Sequence, residues 1–242
     1  MDRQVYGDAL LNINKTFGDD WSLQANIGAS FSDMKNDALK IRGPIADGTS
    51  GEKQGLANVF NIQNLSNSTK TVRKQEGWRE QTQSIFASAE VGYKGTYYLT
   101  LTGRNDWPSQ LAGPHSNAKS FFYPSVGASL LLNRFVDMGR NIDLFEFRGS
   151  YSIVGNDVPV YKTNPRYTYG DQGAINPPKS VPFRTLKPEK THSFEVGFDG
   201  EFFQHRLHVN ATYYKTNTKN QYFEVTLPWE SGYTVSYTHL TL

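Results

Sequence analysis

No cysteine occurs anywhere in the chain, which removes disulfides, thiolate metal sites and thiol nucleophiles together. Nor does any segment approach the roughly 20 continuous apolar residues that a spanning helix needs, so a helical membrane protein is excluded. Charge of one sign is not in excess. Lys and Arg number 25 against 23 Asp and Glu, interspersed, for a formal net charge of +2. With no basic footprint, a nucleic-acid partner is set aside. Walker loops, Gly-x-Gly-x-x-Gly and Gly-x-Ser-x-Gly are all missing, so neither nucleotide binding nor serine hydrolysis has support. The chain opens Met1-Asp2-Arg3-Gln4 without a basic segment leading into an apolar core, and no signal peptide is expected. It is therefore expected to be either cytoplasmic or a piece of something longer. Its 242 residues suit one large domain or two small ones.

What the chain does have is strand and turn composition: aromatics at 14% and 21 glycines, with no dominance of the helix-favouring residues. In residues 21–32, Trp21, Leu23, Ala25, Ile27, Ala29 and Phe31 alternate with Ser22, Gln24, Asn26, Gly28, Ser30 and Ser32. Successive side chains on a strand point to opposite faces, so one face here is wholly apolar and the other small or polar. About 10 to 12 unbroken residues is long for a sandwich strand and right for crossing a bilayer at a tilt. The same pattern recurs around Leu11, Ala87, Leu99, Val126, Phe147, Val196 and Val209. The template predicts about eight strands.

Connections alternate in length. Gly18-Asp19-Asp20, Lys94-Gly95, 133–143 and 200–205 are short, whereas 33–83, 105–120, 155–190 and the stretch after Lys219 are long and polar. Long structureless loops are uncommon in compact soluble domains. They are expected in outer-membrane barrels, where one rim has tight turns and the other long loops. Aromatics are expected to form a girdle at each rim: Phe17, Trp21, Tyr93, Tyr97, Phe198, Phe202 and Phe203 beside the short turns, and Phe31, Trp107, Phe121, Phe122, Tyr123 and Tyr151 near the long loops. The expected fold is all-β, an incomplete antiparallel transmembrane β-barrel wall.

Face parity then assigns side chains. Trp21, Leu23, Ile27, Leu99, Leu101, Val126, Leu130, Val196, Leu207 and Val209 are expected to meet lipid; Gln24, Asn26, Arg148, Glu195 and Asp199 are expected to face the lumen. Glu195 and Asp199 superficially suggest acid/base work, but a polar lumen explains them better. Inward carboxylates are expected to be compensated across the lumen by Arg104 and Arg148. His205 and His208, three apart on a strand, should face opposite sides and share no metal. Gly155-Asn156-Asp157 is turn chemistry, with a binding role the lesser reading. Trp107, read as lying in a long loop beside Arg104 and Asp106, could stack on a sugar ring while the polar pair bonds its hydroxyls. It also suits an interfacial girdle, the favoured reading. No catalytic residue, metal or cofactor is expected.

Three stretches resemble the SusC/RagA family of TonB-linked outer-membrane nutrient transporters. Residues 97–132, YYLTLTGRNDWPSQLAGPHSNAKSFFYPSVGASLLL, combine a strand ending in Arg-x-Asp, a polar loop and a Phe-Tyr-Pro-Ser-Val strand start. Residues 147–156, FRGSYSIVGN, resemble that family's R-x-S-Y-x-x-x-G-N segment, and 186–220, LKPEKTHSFEVGFDGEFFQHRLHVNATYYKTNTKN, are the most specific. With matching strand order, the likeness covers about 5–232. It implies a barrel of about 22 strands, of which this chain would supply roughly a third. It also implies an N-terminal plug, a SusD-like surface lipoprotein partner and TonB as energy source. The substrate would be an oligomeric glycan or peptide, and the location the bacterial outer membrane. Residues 1–233 are thus expected to be partial barrel. The plug, the TonB-contacting segment and a closing aromatic-ended strand lie outside the chain, so alone it should not transport. Residues 234–242, ending VSYTHLTL, depart from the family, look like translated adapter sequence and are expected to have no fold. Two other readings make different predictions. A small closed barrel of eight strands, an anchor or adhesin, should pair its first and last strands. A soluble all-β carbohydrate-binding module should have a filled two-sheet core.

Overall fold

The structure is a computed structural model that describes residues 1–240 apart from 50, 60, 69, 114–118, 135, 137, 140, 157–159, 162–164, 171–173, 182–188 and 234, with 235–240 described by backbone alone. Eight strands form one antiparallel sheet: β1 (Asp2–Phe17), β2 (Trp21–Arg42), β3 (Val72–Tyr93), β4 (Tyr97–Pro108), β5 (Phe121–Leu131), β6 (Ile142–Asn156), β9 (Glu189–Phe202) and β10 (Leu207–Lys219), hydrogen-bonded in that order. Two small hairpins lie outside it, β7 (Thr168–Tyr169) with β8 (Ile175–Asn176), and β11 (Gln221–Thr226) with β12 (Val235–Leu240).

Connections that close β1–β2, β3–β4, β5–β6 and β9–β10 are the short ones and share one end of the sheet. Gly18 sits at φ +62°, and Lys94 and Gly95 at +53° and +59°, the left-handed conformations that let a chain reverse within a few residues. Long connections occupy the other end.

Register makes the two faces continuous. Directly paired residues share a face, and Phe17, Trp21, Tyr93, Tyr97, Leu130, Phe147, Phe198 and Ala211 form an unbroken apolar row across all eight strands. On the opposite face Asn14, Gln24, Glu90, Thr100, Gly127, Ser150, Glu195 and Tyr214 form a polar row. Each strand's alternation is thereby added to its neighbour's, since a one-residue slip anywhere would invert every side chain beyond it. Near the short turns, Trp21 and Tyr93 have ring centroids 4.5 Å apart and Tyr93 and Tyr97 6.2 Å.

Neither alternative architecture fits. Every residue of β1 is exposed and β1 does not pair with β10, so the eight strands are an open wall and not a closed small barrel. Buried apolar side chains among the described residues are few, Ala46, Pro108, Leu111 and Phe121, so no second sheet covers a core.

Four expectations are corrected. First, β2 and β3 each run 22 residues, so the long connection between them shrinks to 43–71. Their distal halves mix charged and apolar residues on each face, Asp33, Lys35 and Asp37 beside Leu39 and Ile41 on one and Asn36 and Lys40 beside Met34 and Ala38 on the other, which hides them from any search for alternation; the backbone ladder and the cross-strand Arg79–Asp33 pair hold them. Second, Asp106 and Trp107, expected within the 105–120 loop, lie on β4 together with Arg104. Third, Phe121 and Tyr123 fall on the polar face, Phe121 only 2% exposed, and belong to no outward girdle. Fourth, 235–240, expected to have no fold, run as β12 against β11.

One close approach is a built feature. A Cβ on Gly28 would meet the Phe86 ring at 2.5 Å and the Ala9 carbonyl oxygen at 2.9 Å, because the edge of the Phe86 ring, paired with Gly28 on the neighbouring strand, reaches over the glycine. Gly28→Val should therefore destabilise the wall by about 1–3 kcal/mol, read as a lower unfolding midpoint of the full-length protein in detergent; an unchanged midpoint would refute this packing.

Candidate functional site

The polar face of the wall is the first candidate surface. Gln24, Asn26, Arg148, Glu195 and Asp199 all share it. Asn26 donates to Ser88 Oγ at 3.2 Å, and Thr100 donates to Glu90 at 3.2 Å. Arg148 is the hub: Nη1 pairs with Asp199, and Nη2 donates to Thr212 Oγ1 at 3.0 Å. Asn210 donates to the other Asp199 oxygen, while His208 Nε2 lies 3.6 Å from it.

Charge compensation occurs, but sideways and not across a lumen. Arg148 reaches Asp199 on the adjacent strand, and Arg104 donates through Nε to Asp106 at 2.6 Å on its own strand. Arg104 also donates to Ser84 Oγ at 2.9 Å and lies 5.7 Å from the Phe86 ring. Glu195 stands exposed with no ion-pair partner among the described residues. Around Arg148 the small residues Gly127, Ser129, Ser150 and Gly197 leave a depression of about 350 Å³, bordered by Glu90, Glu146 and Glu195.

The trio Arg104, Asp106 and Trp107 does not converge. Register puts Trp107 opposite Gln83 on the apolar face, near Phe31 and Ile85, while Arg104 and Asp106 point to the other side. One sugar cannot touch all three. Because β4 runs to Pro108, residues 106 and 107 are strand neighbours and must face opposite ways.

At the short-turn end, Phe203, Gln204 and His205 all take positive φ, so His205 belongs to a left-handed turn and not to the strand that carries His208. Both rings then approach one carboxylate: His205 Nδ1 hydrogen-bonds Glu201, and His208 Nδ1 is 3.9 Å from it. Among the described residues no group of three or more His, Cys, Asp or Glu is arranged to hold a metal ion.

At the long-loop end a groove of about 1260 Å³ lies between the distal part of β3 and residues 160–161, 165–170 and 176–180, lined by Arg73, Lys74, Tyr161, Arg166, Tyr169 and Lys179 among others. Arg166 stacks 4.1 Å from the Tyr161 ring centroid. Its described lining contains no carboxylate. Sequence reading missed this groove, since its residues are scattered through segments without periodicity. Its cations and flat rings suit an extended ligand with anionic or ring-shaped units.

With the open wall and its two faces in place, comparison with known proteins decides the family. A family model described as "TonB dependent receptor-like, beta-barrel" matches residues 2–238. The chain belongs to that family. It is 24% identical over 226 residues to TonB-dependent receptor P26 of Formosa agariphila, covering 89% of this chain and 22% of that protein. It is 26% identical over 157 residues to receptor P39 of the same organism, covering 62% and 15%. The chain thus spans less than a quarter of the length of these relatives. Among solved structures, the RagAB peptide importer in its open-open state superposes with a TM-score of 0.78 at 19% identity, over 99% of this chain and 26% of that one. A ferric enterobactin receptor (PfeA) mutant from Pseudomonas aeruginosa gives 0.60 at 15% identity, over 99% and 32%. Both share the barrel-wall fold of the family.

Two predictions follow from the ionic clusters of this wall. Arg148→Gln should leave the mostly buried Asp199 carboxylate with Asn210 alone as a strong partner and destabilise the barrel by ~1–2 kcal/mol, a value reduced for the arginine's partial exposure; a melting series of the full-length receptor that includes Asp199→Asn would show the loss partly relieved in the double variant. For the turn, the Glu201 hydrogen bond raises the His205 pKa above its ordinary value, with some desolvation opposing and the Asp143 and Glu201 charges adding to the rise. Because the folded value is the higher one, the pair's stabilisation is complete below the ordinary imidazole pKa and is lost as pH climbs through the raised one. NMR titration of His205 should give a midpoint above that of the Glu201→Gln variant; coincident midpoints would count against the pairing.

Proposed function

We propose that this chain is part of the barrel wall of a SusC/RagA-type TonB-dependent importer of oligomeric nutrients, glycans or peptides, in the bacterial outer membrane. The observation that carries the reading is the register-locked pair of faces. An unbroken apolar row meets lipid, and the Arg148 network lines an aqueous bore. Trp21, Leu23, Ile27, Leu99, Leu101, Val126, Leu130, Val196, Leu207 and Val209 are the lipid-facing set. The all-short and all-long ends then correspond to periplasm and exterior.

In this reading the chain's work is passage and binding, not bond-making. The outer groove around Tyr161 and Arg166 is the first contact for substrate: rings stack on flat units while guanidinium and ammonium groups hold acidic ones. Arg104 and Asp106 remain available on the bore side for hydroxyl or amide groups, whereas Trp107 serves at the interface. A SusD-like surface lipoprotein would close over the long-loop end, and TonB would supply energy through parts of the protein outside this chain. The likeness to RagAB, a peptide importer, supports the class and leaves glycan and peptide as alternatives within it.

The test uses the full-length receptor in its own outer membrane. Single cysteines at Leu101 and Val126 should react with a bilayer-dissolved maleimide, and cysteines at Asn26 and Ser150 with an aqueous one. The reverse pattern would sink the proposal. Tyr161→Ala together with Arg166→Ala should cut uptake of a fluorescent oligosaccharide or oligopeptide mixture at least tenfold at unchanged barrel level; unchanged uptake would remove the groove from the account.

A further inference from the structure

The apolar face changes character abruptly along the first three strands. In register, the outward rows read Gly7, Phe31, Gln83 and Trp107, then Val5, Asp33 and Gln81, then Arg3, Lys35 and Arg79. Three cations on three adjacent strands thus stand side by side, two rows beyond the last aromatic residues.

Their height follows from strand geometry. From Trp21 to Phe31 is ten residues along β2; at about 3.3 Å per residue and a tilt near 45° this is about 24 Å along the membrane normal, the thickness of a barrel's apolar band. Lys35, four residues further, stands about 9 Å higher, where the headgroup layer adds roughly 5–7 Å beyond the hydrocarbon on each side. Long basic side chains bridge the remainder.

The row is held from beneath. Asp33 receives both Nε and Nη2 of Arg79 at 2.9 Å, and Arg3 Nη2 lies 3.8 Å away. Its side chain is only 8% exposed, while those of Arg3, Lys35 and Arg79 are 61%, 45% and 60% exposed. Lys35 has Asp37 at 2.6 Å, leaving three cations against two carboxylates. A solvated ion-pair network accounts for Asp33 and its clamp. It does not account for cations that share one outward face, at one height, directly above the apolar band.

We propose that Arg3, Lys35 and Arg79 form a binding row for the phosphate groups of the outer-leaflet glycolipid. Asp33 pre-orients the guanidiniums, whose remaining N–H groups point outward to grip phosphate oxygens, and Lys35 adds a point charge between them. The inference rests on the lipid-facing reading of the apolar face.

The test compares the full-length receptor with the variant Arg3→Gln/Asp33→Asn/Lys35→Gln/Arg79→Gln, which leaves no buried carboxylate unpaired, and with Lys35→Gln, which leaves the Asp33 clamp intact. Each is placed in phosphatidylcholine nanodiscs with phosphorylated lipid A, dephosphorylated lipid A or phosphatidylglycerol, and bound lipid is counted by native mass spectrometry. Affinity for phosphorylated lipid A should fall about fivefold for Lys35→Gln and at least about a hundredfold for the quadruple variant, with dephosphorylated lipid A weak throughout. Equal binding by wild type and quadruple variant, or equal binding of the two lipid A forms, overturns the proposal. Phosphatidylglycerol held as tightly as lipid A overturns the assignment to glycolipid. Bilayer labelling of a Val126 cysteine separates the failures: if it labels and lipid A affinity is unchanged, only this inference falls; if it does not label, the orientation itself falls.

Discussion

In-register pairing of eight strands, each alternating with period two, is the constraint on which the rest depends. Backbone hydrogen bonds fix neighbours residue by residue, so the small apolar surface of each strand becomes part of a sheet-wide one. Burial among the chain's own residues contributes little, for only four apolar side chains among those described, Ala46, Pro108, Leu111 and Phe121, are buried. The apolar free energy of this protein must therefore be realised against something outside the chain, and a bilayer is the solvent that matches a continuous greasy face.

On the other face the same register decides electrostatics. Arg148 and Asp199 are 51 residues apart yet lie on adjacent strands, close enough to neutralise one another without reaching across any opening. Charges are paired locally, and the exposed Glu195 and the carboxylates around the depression give that stretch its acidic tone. Where β2 and β3 outgrow the band, charged residues enter both faces, and the outer groove and the Arg3, Lys35, Arg79 row occur there. The groups proposed to bind thus gather where the demand for an apolar exterior stops.

Some of this was legible without coordinates. Trp21 to Ser32 announced its strand and its faces without error, because a period of two needs only the residue order. The short turns were legible because Gly18 and Gly95 supply the left-handed geometry a reversal demands. Less legible were the distal halves of β2 and β3, where Lys35, Asp37, Lys74 and Glu76 give no periodic signal. Pairing there is a property of the backbone and of neighbours supplied by another segment. Trp107 is the sharpest case: whether it lay in a loop or on a strand decided whether it could join Arg104 and Asp106 or had to oppose them, and residue order does not say where β4 ends.

Residue order by itself therefore determined strand, face and the family likeness, since alternation and turn chemistry are local properties of the chain. Only the tertiary structure decided that the wall stays open between β1 and β10, which carboxylate answers which arginine, and that three cations from three strands form a single row. Each of these depends on register between segments distant in the chain, which local side-chain preferences do not encode.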